Sequence, residues 1–138
     1  MLTFVQIAGR TKPDHPDSPI TDAEAAAMFR AVTNLFRRWG LTDDQAQQLL
    51  DLRPRTYGRW KAGTVGQMGR DLKARLSNLM GVHQNLRMIF QDPERGYAWI
   101  KAANQAFGGR SALDLMLGGE LTDLMRVRQY LDAERNAW

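Results

Sequence analysis

The 138-residue chain contains no cysteine, so it has neither a disulfide framework nor a thiolate that binds a metal or acts as a nucleophile. Its two histidines, His15 and His83, are far apart and fit no metal-ligand spacing. No apolar run approaches the ~20 residues of a membrane span, and the N-terminus lacks the order of a secretory signal. We therefore expect a cytoplasmic protein with no metal, cofactor or membrane segment. Since Asp, Glu and Ser are scattered without paired spacing, we also expect no enzymatic activity.

The charge of the chain is unevenly distributed. With 43% hydrophobic residues and a net charge of +4, the composition is that of one compact domain or two small ones. The net charge is −2 over residues 1–52, +7 over residues 53–91 and −1 over residues 92–138. This basic block indicates either an anionic partner that docks at one place, such as a nucleic acid, or a solvated arginine-rich helix face.

The chain begins with a proline-rich segment and continues with helical patterns. Pro13, Pro16 and Pro19 interrupt residues 1–20, which we expect to form a flexible lead-in with a short extended piece at residues 2–7. Beyond it, apolar residues recur with a helical period, and no stretch alternates long enough for a strand. The sequence therefore predicts an all-α protein of about seven short helices, divided into residues 21–91 and 92–138.

Start and stop signals place these helices. Thr21 with Glu24, and Thr42 with Gln45, are capping boxes that open the first and second helices. Pro54 suits the first position of a third helix, which ends at Gly63. A fourth helix is expected from residue 72, and residues 86–90 either extend it or follow it across Gly81. Further helices are expected over residues 94–103 and 111–117 and from residue 121 to near the C-terminus, with a loop at residues 104–110.

The second and third helices have the spacing of a DNA-binding helix-turn-helix. In a window that starts at residue 43, apolar residues occupy places 4, 8, 10, 15 and 18, where such a motif fixes the angle of its helices; they are Ala46, Leu50, Leu52, Tyr57 and Trp60. Asp51 stands at the turn, where glycine is usual, and aspartate tolerates a left-handed backbone. Gln47 departs from the small residue usual at its place.

With those five places inward, a basic face points outward. Arginine matches the paired acceptors of guanine, and threonine can bond to phosphate or base, so this face has the chemistry for the major groove. The next helix supplies cations for flanking phosphates. The predicted DNA-binding residues are Arg53, Arg55, Thr56, Arg59, Lys61, Arg70 and Lys73, with Arg75 a further phosphate contact. Gly58 either lets the backbone approach DNA closely or marks a fraying helix.

The C-terminal third carries an ordered motif. Trp99 and Ile100 are followed by Asn104, then by the run Phe107–Gly108–Gly109–Arg110–Ser111, then by leucines, Gly119 and an amphipathic helix. This order resembles the toxin-binding domain of the MbcA/ParS/Xre antitoxin family, and the part from about Thr21 resembles its Xre-like helix-turn-helix. The resemblance covers nearly the whole chain after the lead-in. Ala112 stands where the family often has proline.

The resemblance implies an antitoxin of a type II toxin–antitoxin pair. Such an antitoxin covers the active site of a RES-domain, NAD-consuming toxin with its C-terminal domain, and represses its own operon. Carried onto this chain, the toxin-facing residues are Arg110, Ser111, Leu113, Met116, Gly119, Arg126, Tyr130 and Trp138. The leucines have an alternative role in the core, and Trp138 either inserts into the partner or folds back.

The sequence is compatible with two functions. The first is an antitoxin that binds operator DNA as a homodimer, because helix-turn-helix proteins usually read two half-sites. The second is a stand-alone transcription regulator of the same fold with no toxin partner. A reading frame for a RES-type toxin beside the gene favours the first.

Overall fold

The computed structural model describes residues 19–137, and this part of the chain folds into seven α-helices. They are α1 (Asp22–Arg38), α2 (Asp43–Leu50), α3 (Pro54–Lys61), α4 (Arg70–Ile89), α5 (Pro93–Lys101), α6 (Ala112–Met116) and α7 (Leu121–Asn136). The all-α prediction is confirmed. Most of the predicted lead-in, with its extended piece, and Trp138 lie outside the described residues. None of the helices in residues 19–137 is long and apolar enough to cross a membrane.

The two predicted capping boxes are both formed. At the start of α1, the Thr21 hydroxyl accepts from the Glu24 amide at 3.1 Å, and the Glu24 carboxylate accepts from the Thr21 amide at 2.8 Å. Thr42 and Gln45 repeat this exchange at the start of α2, at 3.1 and 2.9 Å. Each box satisfies two amide groups that have no partner within the helix. The short-range sequence signal therefore fixes where both helices begin.

The turn between α2 and α3 has the predicted backbone. Asp51 adopts a left-handed conformation, with φ 53° and ψ 46°, and it is the one residue other than glycine with positive φ in residues 19–137. The Leu52 amide then donates to the Gln47 carbonyl at 3.0 Å, which closes the end of α2. Arg53 is extended, and Pro54 is the first residue of α3, as expected. This turn sets the direction in which α3 leaves α2.

The central element is α4, which packs against α1, α2, α5 and α7. It continues through Gly81, where a Cβ would collide with the guanidinium of Arg128 from α7. Its buried residues include Leu72, Leu76, Leu79, Val82 and Leu86. Around it, α1 contributes Phe29, Val32, Leu35, Phe36 and Trp39, whereas α7 contributes Leu124, Val127 and Leu131. One continuous core therefore runs through both halves of the chain.

The end of α5 differs from the prediction. The helix stops at Lys101, because Ala102 is extended and Ala103 forms an isolated antiparallel bridge with Ser111. The segment between the bridged residues is the predicted loop, and it contains one 3-10 turn at Gln105–Phe107. The bridge brings the end of α5 to the start of α6. It is a tertiary contact, so the helical period could not reveal it.

The left-handed turn at Asp51 makes a test of the fold possible. Replacing Asp51 by valine should lower the free energy of unfolding by about 1–2 kcal/mol, because a β-branched residue is strained at positive φ. Asp51→Gly is the matched control and should be at least as stable as the parent chain. Urea denaturation measures both variants. An unchanged urea midpoint for the valine variant would contradict this turn geometry.

Candidate functional site

The inner face of α3 is held by aromatic contacts. Tyr57 and Trp60 are buried, and their rings meet Phe29 of α1 edge-on at centroid distances of 6.0 and 5.7 Å. Edge-to-face packing of this kind fixes the rotation of a short helix about its axis. The five predicted inward residues lie as expected, four of them buried and Leu52 half-buried. The opposite face of α3 is consequently turned to the solvent.

That outer face is basic, and its three arginines have no acidic partner in the part of the chain that the structure describes. Arg53, Arg55 and Arg59 are exposed, and none of them forms an ion pair within residues 19–137. Arg55 and Arg59 are four residues apart, so they lie on the same face of the helix. Thr56 is half-buried beside them. The guanidinium groups are therefore free to donate to an anionic ligand.

Lys61, the last residue of α3, ties this helix to α2. Its ammonium lies 3.0 Å from the Asp43 carboxylate and 5.7 Å from the centre of the Tyr57 ring. The two charged side chains are 45% and 65% exposed, so the pair contributes little to stability. Burial raises the pKa of Tyr57, against the opposing effect of Lys61. The Tyr57 phenol therefore stays protonated beneath the basic face.

The cations of α4 divide into three environments. Arg70 is exposed at the start of the helix. Lys73 is half-buried, and its ammonium donates to the Ile20 carbonyl at 2.9 Å and lies 3.5 Å from Asp22. Arg75 is only 4% exposed, and it donates to Asp71 at 2.7 Å and to the Leu49 carbonyl at 3.2 Å. The prediction that Arg75 contacts phosphate is wrong, because its side chain binds the C-terminal end of α2 inside the fold.

A closed loop precedes α6. The Asn104 amide donates to the Arg110 carbonyl at 3.0 Å, and the Gly109 amide donates to the Asn104 carbonyl at 3.0 Å. Gly108 and Gly109 have φ values of 68° and 89°, which glycine adopts without strain. The Asn104 side chain accepts from the Ala106 amide at 2.9 Å. This loop presents Arg110 as an exposed side chain on a fixed backbone.

An aromatic cluster joins the loop to α5 and α7. Tyr130 stacks on Trp99 with a centroid distance of 6.1 Å and an angle of 14°, and it meets Phe107 edge-on at 5.2 Å. Arg126 lies over the Phe107 ring at 5.7 Å and donates to the Ala106 carbonyl at 3.3 Å. Trp99 and Tyr130 are half-buried, whereas Arg126 is exposed. The structure therefore brings Arg126 and Tyr130 against the loop that carries Arg110.

Other predicted toxin-facing residues lie inside the fold. Leu113 is 7% exposed and Met116 is 0% exposed, so both side chains belong to the core and we correct their placement on the surface. Ser111 is also buried, and its hydroxyl caps α6 by accepting from the Asp114 amide at 3.0 Å. Gly119 is half-buried in the turn before α7, with φ 87°. These residues hold α6 and the adjoining turns in place, and so fix the backbone next to Arg110.

The sequence pattern did not reveal that Trp99 reaches the surface beside Tyr130. Trp99 is half-buried and stacks on the predicted residue Tyr130, whereas Phe107 beneath them is buried. A signal was available, because Arg126 and Tyr130 are four residues apart and share a face of α7. Within the described part of the chain, no three His, Asp or Glu side chains are grouped as a metal site requires.

Gly58 on the outer face of α3 gives a second test. A Cβ at Gly58 would meet nothing within 4 Å, so Gly58→Ala should raise the free energy of unfolding by up to about 1 kcal/mol through helix propensity. Gly63 has equally open surroundings but φ 121°, so Gly63→Ala should lower stability. Thermal unfolding compares the two variants. A Gly58→Ala variant less stable than the parent would show that residue 58 is not in a regular helix.

Two family models match this chain, one after the other. Residues 18–81 match the family model of the antitoxin Xre-like helix-turn-helix domain, and residues 85–136 match that of the antitoxin Xre/MbcA/ParS C-terminal toxin-binding domain. The uncharacterized protein y4oB of Sinorhizobium fredii (strain NBRC 101917 / NGR234) is 39% identical over 127 residues, which is 91% of this chain and 98% of that protein.

The fold also has a solved counterpart. A chain of the crystal structure of the M. tuberculosis MbcT–MbcA toxin–antitoxin complex is similar with a TM-score of 0.55 and 24% identity, covering 81% of this chain and 94% of that one. The two family matches together span almost all of the described residues, and α3 lies in the first match and α7 in the second. This chain belongs to the Xre/MbcA/ParS antitoxin family.

Proposed function

We propose that this antitoxin neutralises a RES-domain, NAD-consuming toxin by covering its active site, and that it represses its own operon as a cytoplasmic homodimer bound to operator DNA. We assign DNA binding to residues 21–91 and toxin binding to residues 92–138. The observation that carries the proposal is the presence of two separate surfaces, one basic on α3 and one formed by a rigid loop and α7. The RES-domain partner follows from the family resemblance.

The DNA-binding part rests on the outer face of α3. Arg55 and Arg59 project from one side of a helix whose other side is fixed by Tyr57 and Trp60. A helix that is oriented in this way can enter the major groove, where arginine donates two hydrogen bonds to a guanine edge. Arg53 and Arg70 are exposed at the starts of α3 and α4, where they suit phosphate contacts. A dimer would place two such helices on successive half-sites.

The toxin-binding part rests on the surface around Arg110, Arg126 and Tyr130. Two arginines and a stacked Tyr130–Trp99 pair form a half-buried aromatic patch with basic edges. Tyr, Trp and Arg are the residues most often found to dominate binding energy at protein interfaces. The MbcT–MbcA complex, in which a chain of similar fold occurs, supports a toxin as the partner.

Arg55 tests the DNA-binding part. Arg55→Ala should weaken binding to the DNA upstream of the gene by about 1–3 kcal/mol, because a bidentate contact to a base is lost. Arg95→Ala, at an exposed position on α5, is the matched control and should bind as the parent does. Gel-shift titration at fixed salt measures both. Equal DNA affinities for the parent and Arg55→Ala would show that Arg55 does not contact a base, and would contradict the placement of α3 in the major groove.

Co-expression with the adjacent reading frame, for the parent chain and for an Arg110→Glu variant, tests the toxin-binding part. If the adjacent reading frame encodes a toxin, its product should arrest growth alone, be tolerated with this chain and copurify with it. Arg110→Glu should raise the dissociation constant of that complex at least about tenfold and restore growth arrest. Arg95→Glu carries the same charge reversal on α5 and should still rescue growth.

The outcomes separate the two functions. Persistent growth arrest without copurification, together with intact DNA binding, would favour a stand-alone regulator. Rescue that is unaffected by Arg110→Glu would keep the antitoxin function and move the interface elsewhere.

A further inference from the structure

A cleft between α1 and α4 lies apart from the two surfaces described above. It has a volume of about 270 Å³ and opens to solvent. Its walls are the last two turns of α1 and the second half of α4, which run in the same direction. It is lined by Ala31, Asn34, Leu35, Arg38, Met80, His83 and Arg87. No carboxylate is among the lining residues.

The polar lining residues form a matched set of donors. Asn34 and Arg38 are four residues apart on α1, and His83 and Arg87 are four residues apart on α4, so each pair projects from one helix face. Ala31, Leu35 and Met80 supply an apolar floor. Two guanidinium groups, an amide and an imidazole thus face one small space. Arginine forks of this kind bind phosphate and carboxylate oxygens in pairs.

These donors have no protein partner in the described structure. Within residues 19–137, neither Arg38 nor Arg87 forms an ion pair, and neither guanidinium hydrogen-bonds to another residue. The Nδ1 atom of His83 is buried and has no hydrogen-bond partner among the described residues. Both arginine side chains are exposed, so their donors can turn towards an anion in the cleft.

Ordinary helix electrostatics does not account for the whole arrangement. Arg38 and Arg87 both lie in the last turns of their helices, where the helix dipole favours a positive charge. That explains one arginine at each helix end. It does not explain why both converge on the same cleft as a histidine, since like charges brought together repel.

DNA bound to the outer face of α3 would not reach the cleft between α1 and α4. Phe29 is the α1 residue that contacts Tyr57 and Trp60 of α3. Arg38 is nine residues further along, which is about two and a half turns, so it points away from the side of α1 that carries α3. A duplex held by the outer face of α3 would therefore leave the cleft open. Any ligand of the cleft would therefore be separate from DNA bound at α3.

We propose that this cleft binds a phosphate-type oxyanion, supplied either as inorganic phosphate or as the phosphate of a small nucleotide. A doubly charged phosphate group offers enough acceptor oxygens for both guanidinium groups, the Asn34 amide and the imidazole. The volume suits a small ligand, because it falls below the ~300–1,000 Å³ of pockets that hold drug-sized molecules. Met80 and Leu35 can contact the apolar part of a nucleotide.

Binding should change the titration of His83. Burial first, and then Arg87 and Arg38, lower the pKa of His83 below its ordinary value of 6.5. A bound dianion offsets both positive charges and stabilises the imidazolium, so the pKa rises on binding. By linkage, the dianion then binds more tightly as the pH falls through the raised pKa, until the phosphate takes up its own second proton near about pH 6. The charged groups that face His83 are these two arginines, one from each helix.

NMR of the full chain tests the proposal, with inorganic phosphate and adenosine monophosphate as separate probes. Each probe is compared with chloride at equal ionic strength, because screening alone acts on every surface arginine. The His83 ring resonances are assigned with a His83→Gln variant, since His15 is the only other histidine. We expect saturable shifts of the His83 resonances and a higher His83 pKa in the presence of phosphate.

Variants separate the cleft from general arginine binding. Arg38→Gln and Arg87→Gln should each weaken phosphate binding about tenfold or more, because a charge-assisted hydrogen bond is lost. Both residues are exposed and without a described partner, so the fold should persist. Arg95→Gln removes an exposed arginine on α5, outside the cleft and the two proposed binding surfaces, and should leave the affinity unchanged.

The source of the phosphate is read from the two probes. Adenosine monophosphate that binds at least about tenfold more tightly than phosphate identifies a nucleotide ligand; equal affinities identify the phosphate group alone. The proposal is overturned if phosphate acts no differently from chloride, or if the Arg38→Gln, Arg87→Gln double variant responds as the parent does. It is also overturned if His83 responds only to operator DNA.

Discussion

Burial of α4 on several sides is the constraint on which the rest of the structure depends. Its apolar residues face α1 and α2 on one side and α7 on another, so the helix is covered by both halves of the chain. Each fully buried leucine or valine contributes about 1.5–3 kcal/mol relative to an exposed one. Polar contacts then fix the register of α7 against α4. Asn85 donates to Asp132 at 2.7 Å, and Arg128 donates to the Ser77 carbonyl at 3.3 Å.

Local signals made much of the fold predictable. Thr21, Thr42 and Pro54 act within one helical turn, and Asp51 acts through its own backbone, so their roles follow from neighbouring residues alone. The side of α3 that faces solvent was also predictable, because the spacing of Tyr57 and Trp60 fixes the inner side. These positions required no knowledge of distant parts of the chain.

The errors concern residues whose surroundings come from distant segments. Arg75 was expected to face solvent, yet it lies three residues after Leu72 and four before Leu79, on the buried face of α4. It can remain there because Asp71 and the Leu49 carbonyl accept its hydrogen bonds. The Ala103–Ser111 bridge and the Arg38–His83–Arg87 cleft likewise depend on how elements pack. A net charge counted along the sequence does not distinguish these arginines by their surroundings. Arg75 is buried, Arg55 and Arg59 are exposed on α3, and Arg38 and Arg87 line the cleft between α1 and α4.

The buried residues of the C-terminal motif fix the backbone of the loop that carries the exposed Arg110. Ser111 caps α6, whereas Leu113 and Met116 anchor that helix in the core, so the backbone just before it is fixed. Asn104, Gly108 and Gly109 close the loop from the other side, and Arg126 holds it through the Ala106 carbonyl. Arg110 is therefore presented without a flexible backbone to order upon binding, which lowers the entropic cost of an interface. A substitution at Met116 would therefore loosen this loop from inside the core, although its own side chain is fully buried.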